Sequence, residues 1–322
     1  MNFIYSWNAD ISFFHEEREV LGFLCYNKKI TGKGPAEREY IMSICNLCPR
    51  ACKIERKISV KDKGNVGYCR SAMLPVISRA ALHHWEEPCI AGSRGAGTVF
   101  FAGCNLSCVY CQNYEISEMR KGIEVSVERL REIYFELIAK GAHNIDLVTP
   151  THYTHAIFQS LRDPLPVPVV WLPDLKYADS SAAARYSDAP DYFEKATAAI
   201  EQMFRQTGPY EIDSSGILRK GVLIRHLILP GQVENTKKVL EYVAGTFAPG
   251  EVLFSLMRQY VPCGRAAEYP EINRPITDEE YEECESYMEE LGIVDGYVQQ
   301  KASSDKTFIP AFDGTGVLKR EE

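Results

Sequence analysis

The chain has 322 residues, with 36 Lys+Arg against 44 Asp+Glu and a formal net charge of −8. At 45% hydrophobic and 25% charged residues it has the balance of a folded globular chain, which excludes a disordered segment, a collagen and a coiled coil. The acidic excess excludes a protein that coats nucleic acid or anionic membrane with its whole surface. No apolar run reaches the roughly 18 residues a membrane span needs. Met1–Asp10 lacks a basic stretch followed by a long apolar one, so no signal peptide is expected and a cytoplasmic location is the default expectation.

In chain order, residues 1–40 mix aromatic and charged side chains with Gly32, Gly34 and Pro35, and are expected to form an N-terminal arm, helical in part. Residues 41–92 form a Cys-rich module containing Cys45, Cys48, Cys52 and Cys69, with eight basic residues against two acidic ones over 41–80. Residues 93–322 read as one larger α/β unit with a C-terminal extension. The spacing predicts a strand over Thr98–Ala102, then a helix capped by Ser126 and ended by Gly141. A strand over Asn144–Thr149 stops at Pro150, and a helix follows over Tyr153–Leu161. Val167–Lys176 is strand-like but interrupted by Pro168 and Pro173. Tyr192–Gln206 reads as a helix with Ala196, Ile200 and Met203 on one face. Gly221–Leu229 and Val252–Met257 read as strands, with a helix over Val233–Ala244 between them. Thr277 and Glu280 form a capping box opening an acidic helix to about Leu291. This alternation predicts parallel strands with helical crossovers.

Eleven cysteines are many for such a chain, and seven of them fall into two groups. In a reducing compartment clustered cysteines point to metal rather than disulfides. Cys104, Cys108 and Cys111 follow the first predicted strand directly, after Gly103. Three thiolates so close together can hold three corners of a cubane iron–sulfur cluster, which usually takes four cysteines. The remaining iron is then open to an exogenous ligand bound through an amine and a carboxylate. A structural zinc site and three buried free thiols are the alternatives, although zinc sites usually use paired C-x2-C knuckles. Cys45, Cys48, Cys52 and Cys69 fit either a structural zinc that organises a polar segment or a second 4Fe–4S cluster that relays electrons. Strand ends place three more polar candidates, His152, Asp174 and Lys176, and Arg225 lies mid-strand as a fourth. His155, His226, Gln259 and Tyr260 are weaker.

The loop Gly103-Cys104-Asn-Leu-Ser-Cys108-Val-Tyr110-Cys111 resembles that of the radical S-adenosylmethionine (SAM) superfamily. Further blocks resemble its pyruvate formate-lyase activating enzyme-like branch of uncharacterised iron–sulfur proteins: Cys45-Asn-Leu-Cys48-Pro-Arg-Ala-Cys52, Gly67-Tyr-Cys69, Thr149-Pro-Thr-His152, Leu172-Pro-Asp174-Leu-Lys176-Tyr177, Arg225-His226-Leu-Ile-Leu-Pro230-Gly231, Met257-Arg-Gln259-Tyr260 and Phe312-Asp-Gly314-Thr-Gly316. The resemblance covers about residues 40–317. It implies a partial TIM-like (β/α) barrel, here short by about one βα unit, because one strand run, 167–176, stands where that branch has two strands and a crossover.

It also implies a 4Fe–4S cluster on Cys104, Cys108 and Cys111, with SAM on the fourth iron. SAM would be cleaved reductively to methionine and a 5′-deoxyadenosyl radical that abstracts a hydrogen atom. Tyr110 would lie near the adenine. His152, Asp174, Lys176 and Arg225 would contact SAM or substrate, Arg225 as a bidentate partner of the SAM carboxylate. Flavodoxin or ferredoxin would supply the electron, and activation of a glycyl-radical partner enzyme is one implied reaction. Radical modification of RNA, a peptide or a small metabolite is an alternative, although the charge balance does not favour nucleic acid. A catalytically inactive iron–sulfur or zinc protein is an alternative of another class.

Overall fold

The structure is a computed structural model that describes residues 44–299 and 309–319. The N-terminal arm and Cys25 lie outside the described residues. The chain folds as mixed α/β. Strand β1 (Val76–His83) leads through a short helix α1 (Pro88–Ala91) into β2 (Ala96–Phe101). Every residue of β2 is buried, as expected of a strand covered on both faces. The cysteine loop follows, then α2 (Tyr114–Ser117), β3 (Ile123–Glu124), α3 (Val127–Ala139) and β4 (Ile145–Val148). These strands form one sheet in the order β3-β1-β2-β4, with β4 parallel to β2.

A 3-10 turn (Thr151–Tyr153) runs into α4 (Thr154–Ser160), and α5 (Ser180–Ser187) and α6 (Tyr192–Thr207) follow. The small hairpin β5 (Glu211–Ile212) and β6 (Leu218–Lys220) precedes a second parallel sheet. That sheet is β7 (Leu223–Leu227), β8 (Leu253–Met257) and β9 (Gly296–Val298), with α7 (Val233–Thr246) and α8 (Asp278–Glu290) as crossovers.

The predicted caps are present. The Ser126 hydroxyl accepts from Arg129 N at 3.1 Å, and the Thr277–Glu280 capping box is complete. Ala196, Ile200 and Met203 form the buried stripe of α6.

Three expectations change. The sheet is not purely parallel, because β1 and β3 run antiparallel. The β1–β2 connection, residues 84–95, holds only the one-turn helix α1 and returns the chain beside β1 as its antiparallel neighbour. Helix α5 was not foreseen. The run 167–176 is not a regular strand and joins β7 only through bridges at Trp171–Val222 and Asp174–Arg225. Pro168 and Pro173 have no N–H to give to a ladder. Their carbonyls still accept, Pro168 O from Ile145 N at 3.1 Å and Pro173 O from Arg225 N at 2.9 Å. The run therefore touches β4 on one side and β7 on the other. Among the described residues there is no closed barrel and no helix long and apolar enough to cross a membrane.

Candidate functional site

The cysteine loop hangs from the C-terminal end of β2. Gly103 makes the turn at φ +85°. A Cβ there would fall 2.4 Å from Ser71 Oγ and 3.1 Å from both Cys69 O and His152 Nε2. One residue thus brings together the cysteine loop, the Cys-rich segment and the end of β4. Each sulfur of the loop receives a hydrogen bond: Cys104 Sγ from Leu106 N at 3.3 Å, Cys108 Sγ from Ser187 Oγ at 3.0 Å, and Cys111 Sγ from Ser117 Oγ at 3.3 Å. Such donors favour thiolate. Burial works the other way, with Cys108 adding to it, and pushes Cys104 up and Cys111 up to about 12. Three adjacent half-buried thiols that repel one another as anions are a donor set a cationic iron cluster would stabilise. As positioned, no three His, Cys, Asp or Glu side chains among the described residues converge on one metal-ion position.

The second cysteine group is drawn together in the same way. Burial pushes Cys48 up to about 11, and Cys69, Cys45 and Cys52 all add to the shift. A Cβ on Gly67 would lie 3.1 Å from Cys52 Sγ and 3.9 Å from Cys69 Sγ, so these two sulfurs flank the same glycine. Tyr68 N donates to Cys52 Sγ at 3.3 Å. Four such thiols fit a zinc ion or a cluster by donor chemistry alike. Several basic residues of this segment are used internally. Arg50 stacks 3.8 Å from the Tyr68 ring centre and donates to Asn105 O at 2.8 Å. Arg56 is buried and donates to the carbonyls of Ser71, Ala72 and His152.

The other candidates fall into two places. Tyr110 and His152 lie by the cysteine loop. Tyr110 OH meets Tyr177 OH at 2.7 Å, and Tyr177 OH meets Ser187 Oγ at 2.7 Å. His152 Nε2 lies 2.9 Å from the Ala102 carbonyl, which only accepts, so Nε2 carries the proton. Its Nδ1 is then a buried acceptor with no protein partner among the described residues. Burial first, then Arg56, lowers this imidazole to about 3, so it is neutral at any physiological pH.

Asp174, Lys176 and Arg225 form an ion network instead. Lys176 Nζ donates to Asp174 Oδ2 at 2.8 Å, Arg225 Nε to Asp174 Oδ1 at 3.0 Å, and Arg225 Nη1 to Glu86 Oε2 at 2.9 Å. Burial alone would push Asp174 up, but Lys176 and Arg225 outweigh it and hold the carboxyl well below its usual range. Arg225, expected to hold a cofactor carboxylate, holds two carboxylates of its own chain. His226 donates and accepts within the fold, to Leu175 O at 2.6 Å and Thr236 Oγ1 at 2.9 Å, and is structural.

Sequence reasoning missed Glu86, Glu87, Asp146 and Ser255, all beside this network. Asp146 and Ser255 are the polar interruptions of the buried strands Ile-Asp-Leu-Val and Leu-Phe-Ser-Leu-Met. A polar residue inside an otherwise apolar strand was the available signal.

No family model matches the chain. It is 25% identical over 287 residues to an uncharacterized protein of Methanocaldococcus jannaschii, spanning 79% of this chain and 76% of that one.

Proposed function

We propose that the protein is a radical SAM iron–sulfur protein built on a partial TIM-like barrel that is short by about one βα unit. The observation that carries this reading is the loop of Cys104, Cys108 and Cys111, hung from the end of a buried strand with a hydrogen bond to each sulfur. The barrel reading is supported by the run 167–176, whose bonds reach β4 and β7 and so link the two sheets. When bound, a 4Fe–4S cluster with SAM supplies a single electron and a 5′-deoxyadenosyl radical for hydrogen-atom abstraction.

The chain's own part is to hold and shield. Gly103 turns the loop back over the strand ends, and Tyr110 and Tyr177 close its apolar side. His152 offers a neutral acceptor beside the loop, suited to an amine or hydroxyl donor. The N-terminal cysteines are a second metal centre, next to the first through Gly103 and Cys69. The substrate class that fits a radical of this kind includes a backbone glycine of a partner enzyme.

A second reading, a metal protein without turnover, is favoured by one observation: Lys176 and Arg225 are already paired with Asp174 and Glu86. One experiment separates the two readings. The chain is reconstituted anaerobically, its iron, sulfide and zinc are counted, dithionite and SAM are added, and 5′-deoxyadenosine is assayed. Deoxyadenosine above a control lacking protein, lost in Cys104→Ala together with iron, is the expected result. A full cluster with no SAM binding supports the second reading. Unchanged iron and turnover in Cys104→Ala sinks the first.

A further inference from the structure

Strands β2, β4, β7 and β8 share one polar level. Thr98 stands opposite Asp146 in the β2–β4 pair, and Arg225 opposite Ser255 in the β7–β8 pair. Asp174 bridges to Arg225. The alternate residues of the same strands are apolar: Val99, Leu147, Ile224 and Phe254 are all buried in the cores. The turn before α1 sends Glu86 and Glu87 to this level, Glu86 onto Arg225 and Glu87 beside the Ser255 hydroxyl.

The charges there separate into two sets. Lys176 and Arg225 are matched by Asp174 and Glu86 through direct ion pairs. Asp146 and Glu87 have no such cation. Asp146 is 2% exposed, Glu87 8% and Ser255 0%. Thr98 Oγ1 donates to Asp146 Oδ2 at 3.2 Å, but Asp146 Oδ1, Glu87 Oε2 and Ser255 Oγ accept no hydrogen bond of normal geometry from any described residue, although the Ser255 hydroxyl lies close enough to Glu87 to lower its carboxyl. A buried polar atom left unpaired costs about 1–3 kcal/mol, and native folds leave few of them. Three at one level point to a group that arrives from outside.

We propose that Asp146, Glu87 and Ser255 form a binding site for a primary ammonium group. An ammonium carries three N–H donors and no acceptor, the complement of three open acceptor atoms. A guanidinium, with five donors in a flat fork, would leave donors unmet. A bare divalent metal ion suits the site poorly, because only two carboxylate oxygens and one hydroxyl are open to it where such ions take about six oxygens. The inference deepens the reading above, and rests on it only in taking the amine to belong to the substrate. The site itself stands on the three acceptors.

Burial pushes both carboxyls up; Glu86 adds to this and Arg225 opposes it. A cation entering the site therefore displaces protons. The other titratable or charged groups near them are Asp174, Lys176, His83 beside Glu86, and Cys89 and Tyr297 beside Glu87.

The test is calorimetric titration of the full-length chain with n-butylammonium chloride, 1-pentanol and potassium chloride, with an indicator dye following proton release. Butylammonium is expected to bind with proton release, and pentanol and potassium not to. Asp146→Asn and Ser255→Ala are each expected to weaken it at least about tenfold, 1.4 kcal/mol. Circular dichroism checks that each variant is folded, and the conservative Ser255→Ala carries the test if Asp146→Asn is not. Asp163→Asn, on a side chain that is 81% exposed, is expected to bind as the parent does. No binding of butylammonium, equal binding of pentanol, tighter binding of potassium, or unchanged affinity in the folded variants would overturn the proposal. Binding without deoxyadenosine formation would overturn only the radical reading, and the reverse only the ammonium site.

Discussion

Asp146 and Asp174 are both buried aspartates at one level of the fold, and their surroundings drive them in opposite directions. Asp174 has two cations on its oxygens and is held low. Asp146 has a threonine hydroxyl and no cation in contact, and burial pushes it well up. The consequences for stability have opposite signs. A carboxyl lowered by folding adds stability above its unfolded value near pH 4, lost as the pH falls below it. A raised carboxyl adds stability below that value, lost as the pH rises through the folded one. Asp146→Asn removes only the second kind. It is therefore expected to stabilise the ligand-free chain at pH 8 relative to the parent and to do little at pH 4, by urea denaturation at both values. A loss of stability at pH 8 would show that Asp146 is ionised and paired.

The converse holds at Arg225. Arg225→Met leaves Asp174 with Lys176 alone and Glu86 without its arginine, and is expected to cost about 3–5 kcal/mol at pH 7. The same denaturation series measures it. Residues such as these were only half legible. Asp174 and Lys176 stood out as polar groups at a strand end and Arg225 as one within a strand, but which charges they met depended on Glu86, more than eighty residues away in sequence.

At the scale of elements, local signals carried furthest where the chemistry is local. The capping box at Thr277 was legible because a hydroxyl and a carboxylate three residues apart satisfy backbone donors that no other residue supplies. Glu280 does more than close that box. Its carboxylate also accepts from Gly231 N at 2.6 Å and pairs with Arg274 at 2.7 Å, which ties α8 to the loop after β7. Thr277→Ala is expected to cost about 1 kcal/mol, since it removes the cap and leaves those ties in place. Glu280→Ala is expected to cost more. Thermal denaturation ranks them, and equal losses would mean that the ties contribute nothing.

Strand β1 was missed for a physical reason. Its sequence, Val-Ile-Ser-Arg-Ala-Ala-Leu-His, has neither clean alternation nor a continuous apolar run, and its partners are supplied by tertiary structure. The segment containing Pro168 and Pro173 was legible as one interrupted strand because proline's missing N–H is written in the sequence.

For the whole molecule, the question is what fastens the Cys-rich segment to the α/β body; Ser59 on Glu124, Tyr68 on Asp188 and Arg70 on Glu118 tie it at the surface, and Arg56 is its buried tie. Arg56 is 2% exposed, and its guanidinium donates to Ser71 O at 3.1 Å, His152 O at 2.9 Å and Ala72 O. Two of these carbonyls belong to the segment's own exit, and the third follows β4 at the cysteine loop. The composition showed a basic segment and could not show that one of its arginines is an internal fastener, because that depends on carbonyls brought together by folding. Arg56→Ala leaves three buried carbonyls without a donor, at about 1–3 kcal/mol each, so a loss of at least 3 kcal/mol is expected. Arg56→Lys keeps the charge but has no planar fork, and should restore part of it.

The location of the damage is the sharper test. If Arg56 fastens the two parts, Arg56→Ala exposes the region 44–74 to protease before the α/β body is cut. Because His152 O is one of its acceptors, iron held at Cys104, Cys108 and Cys111, if the proposed cluster forms there, should also become easier to chelate. A variant that unfolds in one step, with no early cleavage, would mean that the Cys-rich segment is an inseparable part of the body.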